Sequence, residues 1–166
     1  MVKEAVALTI DAGTYKNFFA NWPGAVAVIT CRGTDGSPQG FTASSFISLS
    51  LDPTLVLFAI KKTARSLPHF DAAEGFGVNA LKEGHAELSN RFATPGEDKF
   101  AGVPYAEGPH TAAPLLQDAW GRMECRTVHK YDGGDHVIFV GEVLSVDMEE
   151  ADPLVYHRRR YRRLAD

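Results

Sequence analysis

The sequence predicts a mainly β fold with short helices, in which an antiparallel sheet closes into a barrel. Short apolar and β-branched runs recur along the chain, beginning with AVAVITC at 25–31. Connections rich in Gly, Asp and Pro separate them, such as RGTDGSPQG at 32–40. Segments with helical spacing are few and short. A sheet with these properties hides its edges when it closes into a barrel.

The first element is a predicted short helix, capped by Asp11 or Thr14 and ended by Pro23-Gly24. Its apolar positions recur at helical spacing and are Tyr15, Phe18, Phe19 and Trp22. The run at 25–31 then predicts a strand, and QGFTASSF at 39–46 predicts its antiparallel neighbour.

The middle of the chain predicts two further strands and two short helices. LVLFAI at 55–60 is wholly apolar, which favours a strand buried on both faces. KKTARSLPHFDAAEG at 61–75 predicts a loop that leads into a short helix, and GFGVNAL at 75–81 a strand. Residues 84–92 predict a second helix, because Leu88 and Phe92 lie four apart on one side.

The last third returns to strands after an irregular segment. Residues 94–114 are rich in Gly and Pro, so we expect an exposed excursion there. Two strand-like runs at 119–131 and 136–148 flank Asp132-Gly133-Gly134-Asp135, a strong hairpin signal. The whole pattern predicts a meander of about six strands.

Length and composition predict one domain over residues 1–166, since a chain of this size with 45% apolar residues builds one sizeable core. The N-terminus lacks the pattern of a signal peptide, and no apolar run approaches the roughly 18 residues that span a bilayer. We therefore expect a cytoplasmic protein without a membrane partner.

Charge and cysteine usage exclude further classes. The net charge of −4 argues against a general nucleic-acid binder, which needs a positive field. The basic run RRRYRR at 158–163 is local, and a solvated strand that blocks a sheet edge is the favoured interpretation. Cys31 and Cys125 lie in apolar strand-like runs and are expected to be reduced core thiols.

Common catalytic patterns are missing. Ser44 and Ser45 lie in TASSF rather than in a G-x-S-x-G turn. The six histidines form no H-x-x-x-H pattern, so a metal site has little support. The sequence also lacks G-x-G-x-x-G after a strand and the P-loop motif, which disfavours those two kinds of nucleotide site.

Two neighbouring polar segments remain as candidates for a binding site. The first is the small, hydroxyl-rich run Thr42-Ala43-Ser44-Ser45, followed by Ser48. Small residues let a flat ligand approach the backbone, and hydroxyls bond its polar edge. The second is the KKTARS loop at 61–66, whose cations and hydroxyls favour a phosphate group. A half-exposed polar strand and an ordinary solvated loop are the competing interpretations.

From about residue 18 to residue 164 the chain resembles the flavin reductase-like family with an FMN-binding split barrel. This family supplies the small reductase components of two-component flavin-dependent monooxygenases. The residues that carry the resemblance, in chain order, are GFTASSFISLSLDPTLVLFAI, KKTARS, FGVNAL, LSNRFA, DKFAG, GGDHVIFVGEV and PLVYHRRRYRRL.

The resemblance implies a Greek-key split antiparallel β-barrel that transfers hydride from NADH or NADPH to FAD or FMN. It implies homodimers and reduced flavin that diffuses to a separate monooxygenase. His136 is the implied catalytic residue, facing the nicotinamide side of the flavin. The implied cofactor-binding residues are Thr42, Ala43, Ser44, Ser45, Ser48, Lys61, Thr63, Arg65, Ser66, Asn79, Arg91 and Tyr156.

Several alternatives stay open at this point. His136 could simply end a hairpin, and Tyr156 could be an aromatic residue that covers the core. The choices between FAD and FMN, and between NADH and NADPH, are undecided. A non-catalytic flavin- or haem-binding barrel is the alternative function, and an enzyme that keeps its flavin tightly bound is another.

Overall fold

A computed structural model describes residues 10–96 and 98–164 and shows a mostly β chain with short helices. The helices are α1 (Ala12–Ala20), α2 (Leu67–Ala72) and α3 (Ala86–Ala93). The strands are β1 (Gly24–Ala25), β2 (Ala27–Arg32), β3 (Pro38–Ala43), β4 (Ile47–Leu51), β5 (Thr54–Lys61), β6 (Gly75–Ala80), β7 (Tyr105–Glu107), β8 (Pro114–Leu116), β9 (Gly121–Gly133), β10 (His136–Met148), β11 (Val155–His157) and β12 (Arg160–Arg162). The predicted fold class is confirmed.

Seven strands form the main antiparallel sheet in the order β3-β2-β6-β9-β10-β5-β4. The hairpins at 32–38 and at 132–135 occur as predicted, the second joining the two long strands β9 and β10. The sheet curls until the chain beyond β3 reaches β5, where the Ser45 Oγ accepts from the Ala59 N–H at 3.2 Å. From this contact toward Lys61, β3 and the end of β5 do not pair with each other. The barrel is therefore split at this position.

Aromatic rings fill the barrel. Phe58 and Phe139 stack in parallel with ring centroids 5.2 Å apart. Phe70 and Phe76 meet Phe58 edge to face, and all four of these side chains are buried. Burying such a ring stabilises the fold by about 1.5–3 kcal/mol, so this cluster fixes the positions of β5, β6 and β10.

A smaller three-stranded sheet, β1-β11-β12, covers one end of the barrel. The predicted strand at 25–31 is divided between the two sheets at Val26. The Val26 N–H donates to the Leu154 carbonyl at 3.0 Å, and the Val26 carbonyl accepts from the Leu81 N–H at 3.0 Å. β12 is an exposed edge strand, as the basic run predicted.

Helix α1 forms as predicted with Asp11 as its N-cap, and its aromatic side chains are exposed. Two expectations need correction. β5 is buried on one face only, because Val56, Phe58 and Ile60 point inward while alternate residues are partly exposed. The segment 94–114 is not simply exposed, since Phe100 and Ala113 are buried.

The meander estimate of about six strands was also too low, since the described residues form twelve. The predicted core thiols are confirmed: Cys31 and Cys125 are free and buried, and burial raises the pKa of each to about 12. Across residues 10–96 and 98–164, every helix is too short or too polar to cross a membrane.

Candidate functional site

A large cleft lies where the barrel is split, between β3 on one wall and the chain from 59 to 66 on the other. Its volume is about 1010 Å³, and residues from 92–96 and 98–100 close one side of it. Predicted site residues that line the cleft are Thr42, Ala43, Ser44, Ser45, Lys61, Thr63, Arg65, Ser66 and His136. The fold thus brings the hydroxyl-rich run, the KKTARS loop and His136 to one place.

The strand β3 presents its open edge to this cleft. β2 pairs with one edge of β3, and in an antiparallel pair alternate residues turn their N–H and C=O groups outward. The Gly40 carbonyl is one of these outward groups, because it accepts from Lys99 Nζ at 3.4 Å. Thr42 lies two residues after Gly40 on the same strand, so its backbone N–H and C=O groups also point away from β2. A flat ligand can therefore bond directly to the strand backbone.

Small residues let neighbouring groups lie close to β3. At the buried Gly40 this neighbour is α3, because a Cβ there would lie 2.9 Å from the Phe92 ring and 3.2 Å from the Ile29 carbonyl. Ala43 is buried against the barrel core, whereas Ser44 is exposed on the cleft side. These features let a ring lie close to the strand at Ser44.

The hydroxyl groups of the β3 wall make different contacts. Thr42 Oγ1 donates to the Ser89 carbonyl at 2.6 Å and so fastens α3 to β3. Ser45 Oγ bonds both the N–H and the carbonyl of Ala59, at 3.2 and 3.3 Å. Ser44 carries the hydroxyl best placed for a ligand, because it is exposed and lies between the other two.

The opposite wall is positively charged. Lys61 and Arg65 are exposed and line the cleft together with the hydroxyl residues Thr63 and Ser66. The Ala64 N–H donates to the Lys61 carbonyl at 2.9 Å, which turns the loop at this point. Cations and hydroxyl donors grouped in this way suit the oxygens of a phosphate.

His136 stands at the rim, at the first residue of β10 and opposite Lys61 of β5. Its side chain is 33% exposed, and its Nδ1 lies 2.7 Å from Asp135 Oδ1. Hydrogen bonding to His136, followed by its charge, lowers the pKa of the Asp135 carboxyl. The carboxylate holds a proton on Nδ1, which leaves Nε2 for contact with a ligand.

Two predicted site residues lie away from the cleft for clear physical reasons. Asn79 is fully buried: its amide donates to the Val28 carbonyl at 3.1 Å and accepts from the Leu116 N–H at 2.7 Å. These bonds tie β6 to β2 and β8, and Asn79 is not among the residues that line the cleft. Ser48 is exposed on β4, opposite Val56, and is also outside the cleft.

Arg91 and Tyr156 do not line the cleft either. Arg91 donates to the Ala101 carbonyl at 2.8 Å, which braces the segment that closes the cleft. Tyr156 pairs with Gly24 in the small sheet and packs edge to face on Tyr161, with ring centroids 5.3 Å apart. Their positions support the surroundings of the cleft rather than its walls.

The sequence analysis did not name the polar cleft residues Ser37, Gln39, His69, Asp98 and Lys99 as site candidates. Lys99 Nζ donates to the Phe92 carbonyl at 2.8 Å, and burial lowers the pKa of this lysine. Its motif DKFAG was noticed only as part of the resemblance. Ser37 and Gln39 precede the hydroxyl-rich run on β3, so extending that run toward the hairpin would have found them.

The split barrel and its cleft together present an open strand edge and a cationic loop, an arrangement that suits a flat, anionic ligand. The model of the flavin reductase like domain matches residues 19–165, and the chain belongs to this family. An NADH-dependent FMN reductase of Streptomyces nodosus subsp. asukaensis is 42% identical over 153 residues, covering 87% of this chain and 80% of the relative.

Two further relatives extend the comparison. The NADH:FAD oxidoreductase SgcE6 of Streptomyces globisporus, solved in complex with NAD and FAD fragments, is 33% identical with a TM-score of 0.88, covering 96% of this chain and 98% of that chain. The reductase component of a flavin-dependent trigonelline monooxygenase of Acinetobacter baylyi is 36% identical over 146 residues, covering 88% of this chain. The chain spans 47% of that longer relative.

Proposed function

We propose that this protein is an NAD(P)H-dependent flavin reductase that reduces FAD or FMN and supplies reduced flavin to a separate monooxygenase. The observation that carries the proposal is the cleft itself. The open edge of β3 and the cationic loop at 61–66 face each other across it, with His136 at the rim. The names of the relatives, which are FMN, FAD and monooxygenase reductases, agree with this chemistry.

The cleft fits a flavin in shape and in charge. Its volume of about 1010 Å³ lies at the upper end of the range usual for small-molecule sites. Outward backbone groups of β3 match the polar edge of an isoalloxazine ring, and Arg65 with Ser66 matches a phosphate. Because one wall is small and polar while the other is cationic, the site distinguishes the two ends of such a ligand.

The side chains of this chain would bind and orient rather than perform acid-base steps. Lys61, Arg65 and Ser66 would hold the phosphate, and Ser44 would bond the ring edge. A bound flavin supplies the acceptor for hydride, which explains the lack of a catalytic triad. His136 Nε2 would bond the carboxamide of the nicotinamide and so hold it at the open side of the cleft.

The test uses the purified chain, added flavin and reduced nicotinamide, with oxidation of the nicotinamide followed by absorbance. We expect turnover with NADH or NADPH that depends on added FAD or FMN. Ser44→Trp should fill the cleft and abolish it, while Gln117→Trp, exposed on the surface outside the cleft, serves as the matched control.

Other results would favour the alternative functions. Flavin or haem binding without nicotinamide oxidation would indicate a storage or sensing protein. Turnover with flavin that stays bound through repeated washing would indicate an enzyme that keeps its cofactor. Oxidation with an unchanged rate in Ser44→Trp would place the reaction outside the cleft.

We also propose that the protein forms a homodimer. β4 is an edge strand whose side chains Ile47, Leu49 and Leu51 are 54%, 48% and 88% exposed. Helix α1 adds a second apolar face with Phe18, Phe19 and Trp22 at its centre. Exposed apolar area of this extent is typical of a protein interface. A second copy of the chain would cover these surfaces by the same contacts in reverse.

Two sequence-based expectations stay predictions. One is that residues 1–166 form a single flavin reductase-like domain. The other is that the protein acts in the cytoplasm, where a diffusible reduced flavin would meet its monooxygenase.

A further inference from the structure

The end of the cleft nearest the β2–β3 hairpin is lined by polar side chains that the proposed phosphate site does not use. Ser37 lies just before β3, Gln39 is the second residue of β3, and His69 comes from α2. Gly33 lies between them: a Cβ there would be 3.0 Å from Gln39 Cγ and 3.0 Å from His69 Nδ1. The three side chains therefore form one continuous polar wall, which we call the hairpin end of the cleft.

A chain of hydrogen bonds fixes the Gln39 amide. Gln39 Nε2 donates to Ser37 Oγ at 2.9 Å, and Ser37 Oγ donates to Asp35 Oδ1 at 2.6 Å. The Ser37 backbone N–H also donates to Asp35, at 3.0 Å. This chain uses one N–H of the amide and sets its plane. The amide oxygen and the second N–H then give one acceptor and one donor for a ligand.

The orientation of His69 adds a donor. The Thr34 N–H donates to His69 Nδ1, with 3.4 Å between the two nitrogens. Because Nδ1 accepts, the proton of the neutral ring lies on Nε2. His69 is half-buried and lines the cleft, so the ring nitrogen that is not held by Thr34 is available to a bound molecule.

The order of residues along the cleft indicates which part of a bound flavin would reach the hairpin end. Ser45 touches Ala59 at one end, the loop with Arg65 and Ser66 follows, and His69 meets Thr34 at the other. From Ser37 to Ser45 an extended strand covers roughly 26 Å. A flavin with its ring at Ser44 and its phosphate at Ser66 would continue, beyond that phosphate, into the hairpin end. FMN has nothing beyond its phosphate, whereas FAD has an adenylate.

We infer that the hairpin end of the cleft binds the adenylate of FAD, so that this reductase binds FAD more tightly than FMN. The inference rests on the proposed function and names its flavin. Reduced nicotinamide cofactors also contain an adenylate. The flavin is favoured because the cationic loop for its phosphate lies between the ring wall and the hairpin end.

The experiment measures dissociation constants for FAD and FMN by fluorescence titration of the full chain without nicotinamide. FAD should bind at least about tenfold more tightly than FMN. Gln39→Ala and His69→Ala should each weaken FAD binding about three- to tenfold, the size of one or two hydrogen bonds. FMN binding should stay within about twofold, and Gln117→Ala, outside the cleft, should change neither. AMP should compete with FAD and leave FMN bound.

The possible outcomes of this experiment separate the inference from the proposed function. Equal affinities for both flavins, with both still reduced by nicotinamide, overturn the inference and leave the proposed function standing. AMP that displaces reduced nicotinamide but not FAD assigns the hairpin end to the other adenylate and also overturns it. If neither flavin binds, the proposed function fails as well. If an alanine variant unfolds on heating earlier than the wild type, AMP competition on the wild-type protein decides the question.

Discussion

The two outer strands of the main sheet, β3 and β4, differ in the side chains that they expose. β3 carries Gly40, Thr42 and Ala43, and its outer backbone groups face a cleft. β4 carries Ile47, Leu49 and Leu51, whose large apolar side chains are exposed. An unpaired strand edge invites association, so proteins must control what it meets. Here one edge admits a flat small molecule and the other suits a protein surface.

The difference shows how one sheet separates two kinds of binding. A small ligand needs backbone groups within hydrogen-bond reach, which small side chains permit. A protein partner needs apolar area, which large side chains supply. Since β5 lies beside β4 and its last residues line the cleft, the same strand connects the proposed dimer surface to the proposed flavin site.

The largest effect is expected from charging the β4 edge. Leu49→Lys with Leu51→Lys should raise the dissociation constant of the dimer by more than about 100-fold. Like charges that meet at an interface cost several kcal/mol, and twofold symmetry places each substitution there twice. Sedimentation velocity over a range of concentrations measures the change.

The control for this prediction is Gln117→Lys, which adds a charge at an exposed position away from β4. Both side chains on β4 are exposed in a single copy, so thermal unfolding should change little when both proteins are compared at concentrations where they are monomeric. An unchanged sedimentation coefficient for the double variant would remove β4 from the interface.

On the cleft side, the largest effect is expected at the cationic loop. Arg65→Ala with Ser66→Ala should weaken flavin binding about 10- to 100-fold, because a hydrogen bond to a charged phosphate contributes about 1.5–3 kcal/mol and solvent at this exposed loop screens the second contribution. Fluorescence titration with FMN measures it. Arg162→Ala, on the exposed strand β12, is a matched loss of one arginine away from the cleft and should leave binding unchanged. Equal affinity in the double variant and this control would exclude the loop as the phosphate site.

His136→Ala should separate binding from reaction. We expect hydride transfer to slow about 10-fold or more, since placing and protonating the reactants contributes at least this much in enzymes. Flavin affinity should stay within about twofold of the wild type, because the imidazole of His136 lies at the rim of the cleft. Stopped-flow absorbance with reduced nicotinamide gives the rate. His129→Ala, a histidine outside the cleft on β9, is the control. The same transfer rate in both variants would remove His136 from the reaction.

The sequence predicted which segments form the walls of the cleft better than it predicted which side chains are buried. Turn residues and β-branched runs placed both hairpins, since their signals are local. The resemblance brought TASS, KKTARS and His136 together. Asn79 shows why burial is harder to predict: a buried amide and a binding amide look alike in sequence, and only the structure shows that this amide bonds to the Val28 carbonyl and the Leu116 N–H.

The aromatic face of α1 illustrates a related limit. Spacing shows that Tyr15, Phe18 and Phe19 share one side of a helix, but it does not show what covers that side. In the single chain the barrel core is filled by Phe58, Phe76 and Phe139 from the strands. The aromatic side of the helix is therefore exposed in one copy.

The smallest effect is expected from Ser44 and Ser45 of the β3 wall, whose hydroxyls are expected to serve ligand binding and stability, respectively. Ser45→Ala removes both hydrogen bonds to Ala59, so it should lower the free energy of unfolding by about 1–2 kcal/mol. Ser44→Ala should leave unfolding within about 0.5 kcal/mol of the wild type and weaken flavin binding about threefold. Chemical denaturation and flavin titration of both variants measure the two quantities. The contrast follows from geometry: the hydroxyl that closes the barrel is already bonded, while its exposed neighbour is the one that a ligand can use. If Ser45→Ala changed only binding and Ser44→Ala only stability, the roles of the two residues would be exchanged.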